Sequence, residues 1–161
     1  MIAKIRSLKE LSLKSSYENR IKDEGLQALT KCIDSLRHLE SLCVSFWGCN
    51  VNFTEAGLKG FLSQLAFKDG LKSLMLHFSN CSKTVTDEIL KQIGETLVSL
   101  KGLETFGLDV NSCSEVTGNG IIYGLLGNIE KGSLEKLQRI NLNFMKCEKI
   151  NSGEVEKLFQ I

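Results

Sequence analysis

Apolar residues recur in one order five times along the chain. The segments are Leu8-x-x-Leu11-x-Leu13-x-Ser15, Leu39-x-x-Leu42-x-Val44-x-Phe46, Leu71-x-x-Leu74-x-Leu76-x-Phe78, Leu103-x-x-Phe106-x-Leu108-x-Val110 and Leu137-x-x-Ile140-x-Leu142-x-Phe144, with first residues 31, 32, 32 and 34 positions apart. Alternation with period two predicts a strand in each. A few residues later an apolar residue returns beside a hydroxyl or amide: Phe53-Thr54, Val85-Thr86, Val116-Thr117 and Ile150-Asn151, with Ile21 in the first apolar slot. Thr54, Thr86, Thr117 and Asn151 or Ser152 are candidate N-caps, because their side-chain oxygens accept the free N–H groups of a helix start. Steps of three and four follow: Leu26, Leu29, Ile33, Leu36; Leu58, Phe61, Leu62, Leu65; Ile89, Ile93, Leu97, Leu100; Ile121, Leu125, Ile129; and Val155, Leu158, Phe159. That spacing predicts a helix in every unit.

Each unit thus carries a strand face and a helix face, and cannot bury both alone. Stacking buries them, so the pattern predicts an α/β solenoid. The expected division is one domain over 1–161, with units over 8–38, 39–70, 71–102, 103–136 and 137–161, and 1–7 as a remnant or N-terminal cover. Four cysteines share one register three residues after the last apolar position: Cys49, Cys81, Cys113 and Cys147, with Glu18 in the first unit.

The string Leu-x-x-Leu-x-Leu, then Cys, then Ile/Val-Thr and a helix, resembles leucine-rich repeats of the cysteine-containing, ribonuclease-inhibitor-like type, over residues 8–161. The resemblance implies a right-handed horseshoe arc with a parallel sheet on its concave side and helices on its convex side. It departs at Phe46, Phe78, Val110 and Phe144, an extra dyad before the Cys. We read this as a strand two residues longer, an even insertion that keeps every side chain on its face. Such arrays also resemble protist repeat proteins, some joined to kinase domains; no kinase motif occurs here.

Composition narrows the function. The 161 residues hold 20 Lys+Arg against 19 Asp+Glu, a net charge of +1, 6 Cys and no Pro. A near-neutral chain has no long-range field for nucleic acid or anionic lipid, and its apolar stretches fall short of the roughly 20 residues a bilayer span needs. Neither nucleic acid nor membrane insertion is expected. Met1-Ile2-Ala3-Lys4-Ile5-Arg6 lacks a secretory core, so the expected setting is reducing and cytoplasmic, open to cytoskeletal or ciliary association. In that setting the sequons Asn52-Phe53-Thr54 and Asn80-Cys81-Ser82 are idle.

A line of thiols at strand spacing is not the tetrahedron that zinc requires, so the cysteine register reads as buried packing. Cys32 is expected on the buried side of the first helix, and Cys43 exposed on the opposite strand face. His38 pairs with Asp34 if the helix reaches it. Neither His38 nor His77 has a visible nucleophile arranged with it, and no acid–base pair is expected. Gly118-Asn119-Gly120-Ile121-Ile122-Tyr123-Gly124 misses the G-x-G-x-x-G phosphate spacing by one residue, and Gly25, Gly57, Gly120 and Gly153 fit a turn requirement instead. No cofactor, metal or catalytic residue is expected.

Residues alternating with the buried set should face outward: Glu10, Ser12, Lys14, Ser16; Ser41, Cys43, Ser45, Trp47; Ser73, Met75, His77, Ser79; Thr105, Gly107, Asp109, Asn111; and Arg139, Asn141, Asn143, Met145. Trp and Arg are enriched in binding hot spots. The candidate protein-binding residues on this concave face are therefore Trp47, Met75, His77, Asp109, Asn111, Arg139, Asn141 and Met145. Ile122, Tyr123 and Leu126 could add a convex contact. Uncapped end units point to a longer array or to neighbouring subunits at both ends. The expected function is a non-catalytic protein-interaction scaffold in a larger assembly. The alternatives are the substrate-recognition part of a ubiquitin-ligase adaptor, or a regulator of a GTPase or other enzyme.

Overall fold

A computed structural model describes residues 2–16, 21–48, 53–131 and 134–158. Strands β1 (Glu10–Ser15), β2 (Ser41–Phe46), β3 (Ser73–His77), β4 (Thr105–Asp109) and β5 (Arg139–Asn143) form one parallel sheet in chain order, open at both edges. Helices α1 (Asp23–Ser35), α2 (Glu55–Leu65) and α3 (Asp87–Ser99) alternate with the strands and pack side by side. The fourth unit differs. A π-helical segment, Gly120–Leu126, runs into the short α4 (Gly127–Lys131), both against α3, and α5 spans Ser152–Leu158.

Register repeats from rung to rung. Leu11, Leu42, Leu74, Phe106 and Ile140 align across the sheet, as do Leu13, Val44, Leu76, Leu108 and Leu142. Apart from Ile140, which is exposed on the outermost strand, these residues pack with the apolar stripes of α1, α2, α3 and the fourth unit in one core, whose largest buried side chains include Phe46, Phe61, Phe78 and Phe106. The rings of Phe46 and Phe78 stack at 6.2 Å, with Phe53 edge-on to Phe46 at 5.2 Å. The longer strand expected from the extra dyad holds for β2; β3, β4 and β5 end one residue before Phe78, Val110 and Phe144. The ladder nonetheless continues, since Phe78 N–H donates to Asp109 O (2.7 Å) and Val110 N–H to Asn143 O (3.0 Å).

Polar bonds between units repeat as well. The Asp23 carboxylate accepts the N–H (2.8 Å) and hydroxyl (2.7 Å) of Thr54, and Asp87 accepts those of Thr117 (2.9 and 2.7 Å). Thr54 and Thr117 then accept from Gly57 N–H (3.0 Å) and Gly120 N–H (3.3 Å), the caps the sequence predicts. Thr86 differs, because its hydroxyl donates to Glu55 (2.8 Å) and makes no cap bond. Asn151 and Glu154 form a reciprocal capping box, both bonds 3.0 Å.

The turn explanation for the helix-start glycines is therefore corrected. Gly25, Gly57, Gly120 and Gly153 do not have positive φ; a Cβ on Gly57 or Gly120 would overlap the Asp23 or Asp87 carboxylate of the preceding unit. Positive φ falls elsewhere, at Gly48 (68°), Asn80 (57°), Ser112 (59°) and Lys146 (57°), each one residue before a register cysteine.

Three register thiols are buried and donate across to the previous rung: Cys81 to Phe46 O (2.9 Å), Cys113 to Phe78 O (3.2 Å) and Cys147 to Val110 O (3.2 Å). Cys49 lies outside the described residues, as do Glu18, Asn52 and Phe159. Four further expectations are corrected. Cys32 and Cys43 are both half-buried. His38 is exposed beyond the end of α1, so the helix does not carry it onto the Asp34 face. Ile122 is buried, because the π turn rotates it inward.

Candidate functional site

The sheet face away from the core presents side chains in ranks. One rank holds Glu10, Ser41, Ser73, Thr105 and Arg139; the next Ser12, Cys43, Met75, Gly107 and Asn141; the third Lys14, Ser45, His77, Asp109 and Asn143. Strand pairing fixes these spacings, so the face is preformed.

Of the predicted site residues, Trp47, Arg139, Asn141 and Met145 are exposed, while Met75, His77, Asp109 and Asn111 are half-buried. Met75, His77, Asp109 and Asn141 line a shallow depression of about 430 Å³ together with Asn143 and Gly107. Gly107 creates room there. The Met75 thioether leans into the position a Cβ on residue 107 would take. Asn111 sits beside this depression, while Trp47, Met145 and Arg139 are not among its lining residues. Ser79 is buried, which corrects its expected outward place.

Rigid acceptors define the polar character. Asp109 Oδ1 accepts Asn111 N–H (3.0 Å) and Asn143 Oδ1 accepts Met145 N–H (3.1 Å), two turns of the same kind on neighbouring rungs. Ser112 Oγ donates to Asn111 Oδ1 (2.9 Å). Asp109 Oδ2 is left 3.8 Å from His77 Nδ1.

This last contact is set by the strand register. Because Ser45, His77 and Asp109 occupy one rank, the register sets a hydroxyl, an imidazole and a carboxylate side by side. The signal was available in the sequence, since the three residues share one position of consecutive repeats. At 3.8 Å the His77–Asp109 contact is an ion pair when the imidazole is protonated, and too long for an orienting hydrogen bond.

No protein-family model matches the chain, and no curated protein matches it. The functional reading therefore rests on this geometry.

Electrostatics at the rim and in the core complete the description. At the entrance to the strands, Glu40 lies between Lys9 (2.9 Å) and Lys72 (2.7 Å), and Lys72 and Lys9 pull its carboxyl down to about 2. Lys149 bonds Glu115 at 2.6 Å and holds that carboxyl low at the other end of the strands. Burial pushes the Cys113 thiol up to about 11 and also raises Cys147, so both are protonated and unreactive near neutrality. Among the described residues no three His, Cys, Asp or Glu side chains are grouped to hold a metal ion, and no helix is long and apolar enough to cross a membrane.

Proposed function

We propose that the chain is a leucine-rich-repeat solenoid of the cysteine-containing type, and that it serves as a non-catalytic protein-binding scaffold through the outer sheet face. The family reading is supported by two structural repeats: a buried thiol bonded to the previous rung, and a helix-start carboxylate bonded to the next cap. The observation that carries the function is the outer face itself. Its polar acceptors are held by backbone bonds, its apolar groups are large and exposed, and ordering it on association costs little. Trp47 and Met145 supply apolar area at the end of the strands, Arg139 supplies a fork of donors, and the depression between His77 and Asn143 accepts a partner side chain.

Cross-linking mass spectrometry on native extract tests this reading. Trp47→Ala, Arg139→Ala and Asp109→Asn should remove the same set of cross-links, whereas Tyr123→Ala on the helix side should leave them. Links that survive all three outer-face variants would place the binding surface elsewhere. Turnover of a substrate that His77→Ala abolishes would make the chain an enzyme.

A further inference from the structure

The β5 end of the sheet and the turn that leads into β1 expose positions that the internal units bury, while Leu11 on β1 itself is buried at 9%. Leu42, Leu74 and Phe106 are fully buried at 0% exposure, but their counterpart Ile140 on the outermost strand β5 is 42% exposed. At the other end the short 3-10 turn Ile2–Lys4 precedes β1. Its bonds, Ile5 N–H to Ile2 O (2.8 Å) and Leu8 N–H to Ile5 O (3.0 Å), repeat those that close α1 (Leu36 to Ile33, 3.0 Å; Leu39 to Leu36, 3.3 Å) and α3 (Leu100 to Leu97, 2.9 Å; Leu103 to Leu100, 3.0 Å). Residues 2–8 thus follow the same hydrogen-bond path as the turn and corner that lead from α1 into β2 and from α3 into β4. Ile33 and Leu36 are buried at 2% and 0%, whereas the matching Ile2 and Ile5 are 38% and 51% exposed.

We infer that the β5 end of one molecule receives the β1 end of a second copy, so that the sheet continues in register from chain to chain. The backbone is poised for it. Ser41 N–H bonds Lys9 O and Trp47 N–H bonds Ser15 O, so odd residues of β1 face β2 and the N–H groups of Ser12 and Lys14 point to the open edge. Gln138 and Arg139 N–H bond Glu104 O, which by the same alternation leaves the carbonyls of Ile140 and Leu142 facing outward from β5. Continued register sets Leu11 beside Ile140 and Leu13 beside Leu142, apolar on apolar. On the outer face it sets Glu10 beside Arg139, and pairs Lys9 with neutral Gln138 and Lys14 with neutral Asn143. Between the two strands themselves one opposite pair forms and no like charges meet. Such a contact is heterologous and does not close on itself, so the species grow with concentration.

Sedimentation velocity over a concentration series tests the inference on the full chain, with circular dichroism to check each fold. Wild type should show mass rising with concentration. Ser12→Pro removes an edge donor that the molecule does not use in its own sheet, and Ile140→Glu puts a charge on the opposite end; each variant alone should sediment as a monomer. Mixed, they should form a one-to-one dimer and nothing larger, because each retains the end the other lacks. That dimer also requires both variants to be folded. A wild-type chain that stays monomeric overturns the inference. It is equally overturned if a single variant associates as wild type does, or if the mixture stays monomeric.

Discussion

The cross-unit cap between Asp23 and Thr54 makes a sign-changing prediction. The Asp23 carboxylate accepts two hydrogen bonds, at 2.8 and 2.7 Å, one of them from a backbone N–H at the start of α2. Charge-assisted bonds contribute about 1.5–3 kcal/mol each when shielded, but Thr54 is exposed and water replaces part of the loss. Asp23→Ala should therefore cost about 1–2 kcal/mol. Gly57→Ala would ordinarily gain about 0.5–1 kcal/mol through helix propensity. Here the new methyl overlaps the Asp23 carboxylate and displaces it, so the gain is offset and the net effect is a loss of up to about 1 kcal/mol. In the Asp23→Ala background that obstacle is gone. The same Gly57→Ala change should then stabilise, giving a coupling of about 0.5–2 kcal/mol in the double-mutant cycle. Urea unfolding with linear extrapolation reads all four proteins, and each kcal/mol corresponds to about 2–4 °C in Tm at this size. A Gly57→Ala single variant as stable as, or more stable than, wild type would refute the argument, because the carboxylate could not then occupy the cap.

Four further outcomes follow from the same coordinates. In native protein at pH 8, iodoacetamide should modify half-buried Cys43 well before Cys81, Cys113 and Cys147, as read by peptide mass spectrometry; equal rates would contradict the buried thiol ladder. Because burial raises the folded Cys113 thiol from 9.0 to about 11, its contribution to stability is complete below pH 9 and declines as pH rises through 11; a Cys113→Ala variant should lose that alkaline dependence in unfolding curves. Lys146→Gly should gain about 1 kcal/mol in urea unfolding, since Lys146 holds φ at 57°, a region costly for a residue with a Cβ; a destabilised variant would show that the left-handed turn is not strained. Phe78→Ala removes a fully buried ring stacked on Phe46 and should cost about 3–5 kcal/mol, and a loss below 1 kcal/mol would mean that the rungs collapse around the gap.

The repeat was legible because it is built from local patterns. Leu42, Val44 and Phe46 alternate, Leu58, Phe61, Leu62 and Leu65 step at helical spacing, and stacking is the one arrangement that hides both faces; the strands duly pair in chain order. Thr54 and Thr117 were recognisable as caps from the residues around them. Their Asp23 and Asp87 partners were not, since a carboxylate 31 or 30 residues away in sequence becomes a neighbour only when two units lie side by side. The helix-start glycines were misread for the same reason: the space they leave belongs to the adjoining unit. His77 and Asp109 both stood on the candidate face, yet their 3.8 Å contact depends on strand registration and on Asn111 N–H fixing the second carboxylate oxygen.

The amino-acid sequence by itself determined much of what lies within one repeat: period-two strands, helix stripes, the Thr54 and Thr117 caps and the inward sense of the alternating strand residues from Leu42 to Leu108, all set by neighbours a few residues away. Tertiary structure alone decided what lies between repeats. The π turn of the fourth unit, the half-burial of Cys43 and the depression beside Gly107 arise where side chains from different rungs compete for the same space, and periodicity holds no record of that competition.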